Sequence, residues 1–109
     1  MAEDIIEVTE LDFNYNVLEY SFQTPVVVDF WAAWCNPCKV LTPILEYLAH
    51  EAQGDFRLAK INVDQNTNLA IRLGIHSLPH VKGIKNGQVV GEFVGIQPES
   101  RIREFIQKL

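Results

Sequence analysis

Trp34-Cys35-Asn36-Pro37-Cys38-Lys39 decides how this chain reads. It carries the only two cysteines among 109 residues, three positions apart. The stretch before it, Val26-Val27-Val28-Asp29-Phe30-Trp31, is apolar on both faces, as a central parallel strand covered by helices on each side reads. After it, Val40, Leu41, Ile44, Leu45 and Leu48 recur at helical spacing. The cysteines therefore fall where a buried strand passes into a helix. Two thiols at that spacing close into a disulfide or open into a dithiol. The first turn of a helix stabilises a thiolate, because its unpaired backbone N–H groups and macrodipole favour negative charge. C-x-x-C beside a βαβ pattern reads as a redox motif.

Working outward from this centre, residues 4–8 read as a short strand. Thr9 is placed as an N-cap with Asp12 reaching back to it, opening a short helix with Phe13, Val17 and Leu18 on one face. Pro43 falls inside the helix that follows the cysteines and should kink it. Residues 56–63 alternate as a strand, and residues 66–73 form a short helix closed by Gly74. Asn86-Gly87 is a hairpin turn between strands 80–85 and 88–94. Pro98 suits the first turn of a last helix that buries Ile102, Phe105, Ile106 and Leu109. Parallel strands joined by helices and ending in a hairpin predict an α/β fold with a mixed sheet and helices on both faces. The length suits a single domain, 1–109.

Hydrophobic residues at 48% and charged residues at 21% are those of a globular chain. A net charge of −5 lacks the basic footprint that nucleic acid requires. No apolar run approaches the ~18 residues of a membrane span. Met1-Ala2-Glu3-Asp4 is acidic and has neither the basic nor the apolar part of a signal peptide, so the expectation is cytoplasmic. Loss of a transit peptide from a longer precursor stays open.

Cys35 and Cys38 have two bland readings. A purely structural disulfide suits an oxidising compartment, not a reducing one. Zinc would need Cys35, Cys38, His76 and His80, formally a Cys2His2 set. The gap between the pairs is too long for the usual motif, and Pro79 precludes a regular helix bearing both histidines, so no metal is expected. Asp29 in a buried strand is costly unless paired, and desolvation should raise its pKa. The alternative is an edge position where it reaches water.

Asp29-Phe30-Trp31, the cysteine motif, Pro43, Lys60, Asp64, Leu78-Pro79, Asn86-Gly87 and Gly95 stand in the order and spacing of the thioredoxin family, which the chain resembles closely from about Ile5 to Leu109. The resemblance implies a thioredoxin-like sheet of about five strands flanked by about four helices. It implies a thiol–disulfide oxidoreductase that reduces protein disulfides, with Cys35 the exposed nucleophile and Cys38 the buried resolving thiol. Asp29 would relay the proton of Cys38, with Lys60 its neighbour. Pro79 would be a cis-proline facing the cysteines, against the alternative of a trans proline opening an edge strand. Trp34, Leu78, Val94, Gly95 and Ile96 would form, with Pro79, the apolar surface that docks substrate, and Trp31 would pack behind. No bound cofactor is implied. Electrons would come from an external thioredoxin reductase, NADPH- or ferredoxin-linked, and pass to disulfide-containing target proteins. Neither nucleic acid nor membrane is expected as a partner, and the protein is expected to act as a monomer.

Asn36 stands where the family usually has glycine, while Pro37 is kept; both flank the thiolate and bear on its redox poise. His80 follows the proline where an uncharged residue is usual. It either places an imidazolium near the thiolate, lowering the Cys35 pKa, or is solvated at the rim. Lys82 must snorkel out or find an acid, and Gly83 should leave space in the packing. These departures keep two other readings in play: a specialised thioredoxin with few targets and a less reducing potential, and a docking module of the same fold without redox turnover.

Overall fold

The computed structural model describes residues 4–109. Its strands are β1 (Ile5–Glu7), β2 (Val26–Trp31), β3 (Arg57–Asn62), β4 (His80–Lys85) and β5 (Gln88–Val94). They form one sheet in the order β1-β3-β2-β4-β5. β1, β3 and β2 run parallel, and β4 and β5 are antiparallel additions on the other side of β2. β2 is thus central, and its six residues are buried except Trp31, half-buried at the end. The helices are α1 (Asn36–Ala52), α2 (Thr67–Arg72) and α3 (Glu99–Gln107), with a wound segment over residues 14–22 before β2 and a single 3₁₀ turn, Val63–Gln65, after β3.

Alternation along β2 sorts the two core layers, because successive side chains point to opposite faces. Val26, Val28 and Phe30 pack with Phe13, Val17 and Leu69 on one face. Val27 packs with Leu41, Leu45, Leu48 and Ile102 on the other, under α1 and α3. Pro43 lies inside α1 on an exposed position and does not end the helix. Gln53 caps α1 in the left-handed region (φ 48°).

Two sequence expectations change in this frame. The first helix is not α-helical: Asn14–Glu19 is a π-helix followed by a 3₁₀ turn, Tyr20–Phe22. Asp12 does reach back, accepting the Thr9 N–H at 2.8 Å. Phe13 and Val17 are buried as expected, but an apolar pair four apart fits the wider turn as well as the α-turn. Gly83 leaves no void, because a Cβ there would run into the side chains of Leu109 and Phe105. The end of the chain occupies the space that the glycine opens.

Lys82 finds its acid. It is buried, and its Nζ lies 3.0 Å from Glu92 Oε1 on β5.

Candidate active site

β2 delivers the chain to the site. After Trp31, Ala32 is buried and its carbonyl accepts the N–H of Cys35 at 3.1 Å, closing a turn. Cys35 then caps α1 through its sulfur, which accepts the N–H of Cys38 at 3.2 Å. Asn36 and Pro37 form the exposed first turn of the helix, where proline's missing donor costs nothing. Cys35 and Cys38 are joined in a disulfide, their Cα atoms 5.3 Å apart. Position on the helix separates the two sulfurs: Cys35 accepts the N–H of Cys38 at the N-terminus, and Cys38 lies within the first turn.

Exposure does not separate them, contrary to expectation. Cys35 is 3% exposed and Cys38 2%. Both pack with Ala32 against Trp31, Val63 and Leu78. With its sulfur turned back onto the N–H of Cys38, Cys35 lies under these neighbours in the disulfide form.

The residues expected to face substrate come together from three segments. Trp34 is 67% exposed, and its indole Nε1 donates to Asp64 Oδ2 at 2.9 Å, which fixes the ring. The Leu78–Pro79 peptide bond is cis. Leu78 packs on the cysteines, and the Pro79 carbonyl accepts the N–H of Gly95 at 2.8 Å. That bond, with the register pair His80–Val94, sets Val94, Gly95 and Ile96 beside the proline. Val94 and Ile96 are each about half exposed.

Behind the cysteines, Asp29 is fully buried on the α1 face of β2. Thr42 donates its hydroxyl to Asp29 Oδ2 at 2.6 Å, while Oδ1 is buried with no hydrogen-bond partner among the described residues. Burial pushes the Asp29 carboxyl up to about 6, against the Thr42 hydrogen bond and the Lys60 charge, which pull it down. Lys60 is Asp29's register partner on β3. Its ammonium, however, bonds Glu46 at 2.9 Å and lies 3.6 Å from Glu7. Burial opposes that charge, but Glu46 and then Glu7 outweigh it, and the Lys60 pKa is raised. A cleft of about 300 Å³ opens beside Asp29's two polar neighbours, walled by Thr42, Lys60, Lys39, Trp31 and Cys38 among others.

His80 does not serve the cysteines. It stands opposite Phe30 in the β2–β4 ladder, so its side chain lies on the sheet face away from Asp29 and α1. Its ring meets Phe30 edge-on, and Nε2 is 2.8 Å from Glu92 Oε1. It is buried there and not solvated at the rim. His76 is exposed, and among the described residues no group of three or more His, Cys, Asp or Glu side chains is placed to hold a metal ion.

Thr42, Asp64, Glu46 and Glu92 take part in these contacts and were not among the expected site residues. Thr42 had a signal: it lies four residues after Cys38, on the same helix face. Asp64 belonged to the quoted pattern, but its tie to Trp34 needed the turn after β3.

A family model described as Thioredoxin matches residues 4–108. Mouse mitochondrial thioredoxin is 47% identical over 98 residues, which cover 90% of this chain and 58% of that one. Rickettsia felis thioredoxin is 40% identical over 101 residues, covering 93% and 94%. Haemophilus influenzae thioredoxin is 37% identical over 105 residues, covering 96% of each. The chain thus spans a little over half the length of its mitochondrial relative and nearly all of the bacterial ones. The match takes in the whole sheet as well as the cysteine turn, and the chain belongs to the thioredoxin family, whose members work through a redox-active cysteine pair without a bound cofactor.

Proposed function

We propose that the protein acts as one domain that reduces protein disulfides by dithiol–disulfide exchange. The observation that carries this is the Cys35–Cys38 pair closed across the N-terminus of α1. In the reduced protein, the Cys35 thiolate attacks one sulfur of a target disulfide. The other target sulfur leaves as a thiolate and a mixed disulfide forms. Cys38 then loses its proton to Asp29 and attacks the Cys35 sulfur, expelling the second target sulfur as a thiolate. The Cys35–Cys38 disulfide is left behind. A thioredoxin reductase, linked to NADPH or ferredoxin, returns two electrons and two protons.

Trp34, Leu78, Pro79, Val94, Gly95 and Ile96 dock the target. Trp34, Val94 and Ile96 supply its exposed apolar part, and such a surface bordering a reactive pair is a binding surface more often than an accident. Lys60 holds positive charge near Asp29 and so opposes the effect of burial on it. Asn36 and Pro37, beside the thiolate on the exposed first turn, set its redox poise. No helix among the described residues is long and apolar enough to cross a membrane. A reducing compartment such as the cytoplasm suits the dithiol form. The mouse relative is named a mitochondrial thioredoxin, so a reducing organelle is a second compartment that fits.

The general reductase is favoured over a specialised, less reducing thioredoxin by His80. That residue, with Asn36, Lys82 and Gly83, was a ground for the specialised reading, and it lies on the far sheet face bonded to Glu92. Turnover of a generic protein disulfide, with Cys35→Ser as control, tests the proposal. Turnover that vanishes in the variant supports it, and no turnover in the unaltered protein leaves the docking module. Equilibration with a dithiol buffer separates the two enzymes. A potential about 60 mV or more above that of other thioredoxins, a bias of roughly 3 kcal/mol toward the dithiol, would select the specialised one.

A further inference from the structure

We propose that Thr42 is a positioning residue for the resolving step: by donating its hydroxyl to Oδ2 of Asp29, it leaves Oδ1 as the carboxyl oxygen that takes the proton of Cys38. The inference rests on the proposed role of Asp29 as proton acceptor and adds a group that sets which oxygen acts. The Thr42–Asp29 contact, 2.6 Å, is the one hydrogen bond Asp29's side chain makes among the described residues. Oδ1 is equally buried and unpartnered, a costly state for a carboxyl oxygen unless it has work to do. A carboxyl held at one oxygen has its plane fixed, and the free oxygen is presented in one direction. Thr42 follows Cys38 by four residues on α1, one turn along the same face. Both residues line the same cleft.

The step balances. The Cys38 thiol proton passes to Asp29 Oδ1, a bond forms between the Cys38 and Cys35 sulfurs, the Cys35–target bond breaks, and the target leaves as a thiolate. The charged groups that face Asp29 come from three elements: Lys60 on β3, Glu46 on α1 and Glu7 on β1. Lys60 is committed to the two glutamates, so it does not fix the carboxyl's orientation. Val81, across on β4, is apolar. A hydroxyl donated to a carboxylate favours its ionised form. Thr42 therefore also keeps Asp29 able to accept a proton at neutral pH, against the burial that pushes it up to about 6.

The test compares Thr42→Val and Thr42→Ser with the unaltered full chain. The Asp29 carboxyl carbon is titrated by NMR in the oxidised protein, where no turnover is needed. The pH profile of target release from the Cys35 mixed disulfide is measured by single turnover. In Thr42→Val the Asp29 midpoint should rise by roughly one pH unit, and the midpoint of the release profile should rise with it. Thr42→Ser should restore both. An Asp29 midpoint unmoved in Thr42→Val, or a release profile that stays put while Asp29 titrates higher, overturns the proposal. So does a Thr42→Ser variant that behaves as Thr42→Val. Should Thr42→Val fail to fold, Thr42→Ala takes its place with the same expectations. Asp29→Asn separates the two levels. If it leaves the release profile unchanged, the role of Asp29 has failed, while the NMR titration still reads the Thr42 hydrogen bond.

Discussion

Lys82 Nζ on β4 lies 3.0 Å from Glu92 Oε1 on β5, and the same oxygen is 2.8 Å from His80 Nε2. Two buried nitrogen-bearing side chains thus share one carboxylate that is half in solvent. Removing that acid strands a buried ammonium, the costly direction of an ion-pair deletion.

Glu92→Gln should therefore lower stability by about 1 kcal/mol, a figure kept small because water reaches the half-exposed site. The His80 hydrogen bond and then Lys82 hold the Glu92 carboxyl below its ordinary 4.5. A depressed carboxylate contributes stability above its unfolded value and loses it as pH falls through the folded one. Denaturant melts should accordingly show the deficit at pH ~7 and little of it at pH ~3. An equal deficit at both would mean that shape, not charge, is what Glu92 supplies.

Asp29 has the opposite sign. Its folded pKa is raised from 3.8 to about 6 by burial, so its contribution is fully present below 3.8 and is lost as pH rises through about 6. A rise of about two pH units corresponds to roughly 3 kcal/mol. Asp29→Asn should recover about that much above pH ~7 and almost none below pH ~4, while slowing release of target. Thermal melts across this range check it. A gain over the unaltered protein no larger at neutral pH than at acid pH would contradict the burial of the ionised acid.

Glu92 shows where sequence reading stops. The strands 80–85 and 88–94 were legible to the residue, because Asn86 and Gly87 both take left-handed φ, 53° and 76°. Lys82 was legible as a buried cation needing a partner, but Glu92 was not legible as that partner. Counting back from the two-residue turn pairs Lys85 with Gln88 and Ile84 with Val89, and would set Lys82 opposite Gly91. The irregularity between Gly83 and Ile84 moves the register by one, so Lys82 meets Glu92 and His80 meets Val94. A one-residue slip carries a side chain to the other face, and nothing in the local sequence announces this one. The same shift brings Glu92 within reach of His80, whose own sheet face follows from standing opposite Phe30. Asp29 and the cysteines were legible because a polar residue in an apolar run and a lone C-x-x-C are conspicuous. Thr42 was marked only by its spacing from Cys38, and a threonine on a helix is ordinary until its acceptor is known.

Gly83 admits the side chains of Leu109 and Phe105. Gly83→Leu should cost about 1–3 kcal/mol by overpacking. Gly83→Ala should cost less, because the nearest atom is the free end of Leu109 and can turn aside. Equal costs, measured by equilibrium unfolding, would mean that α3 is not seated there.

Asn36 lies on the exposed first turn of α1. Asn36→Gly should shift the reduction potential of the cysteine pair by less than about 30 mV, or 1.4 kcal/mol for two electrons. A larger shift in a dithiol buffer would make Asn36 a principal determinant of poise.

Cys35 and Cys38 divide the labour of the reaction, and trapping reads that division. Cys38→Ser, reduced and mixed with a protein disulfide, should accumulate a mixed disulfide whose mass maps to Cys35. Cys35→Ser under the same conditions should form little or none. Equal trapping by both variants, or an adduct on Cys38 alone, would contradict the account.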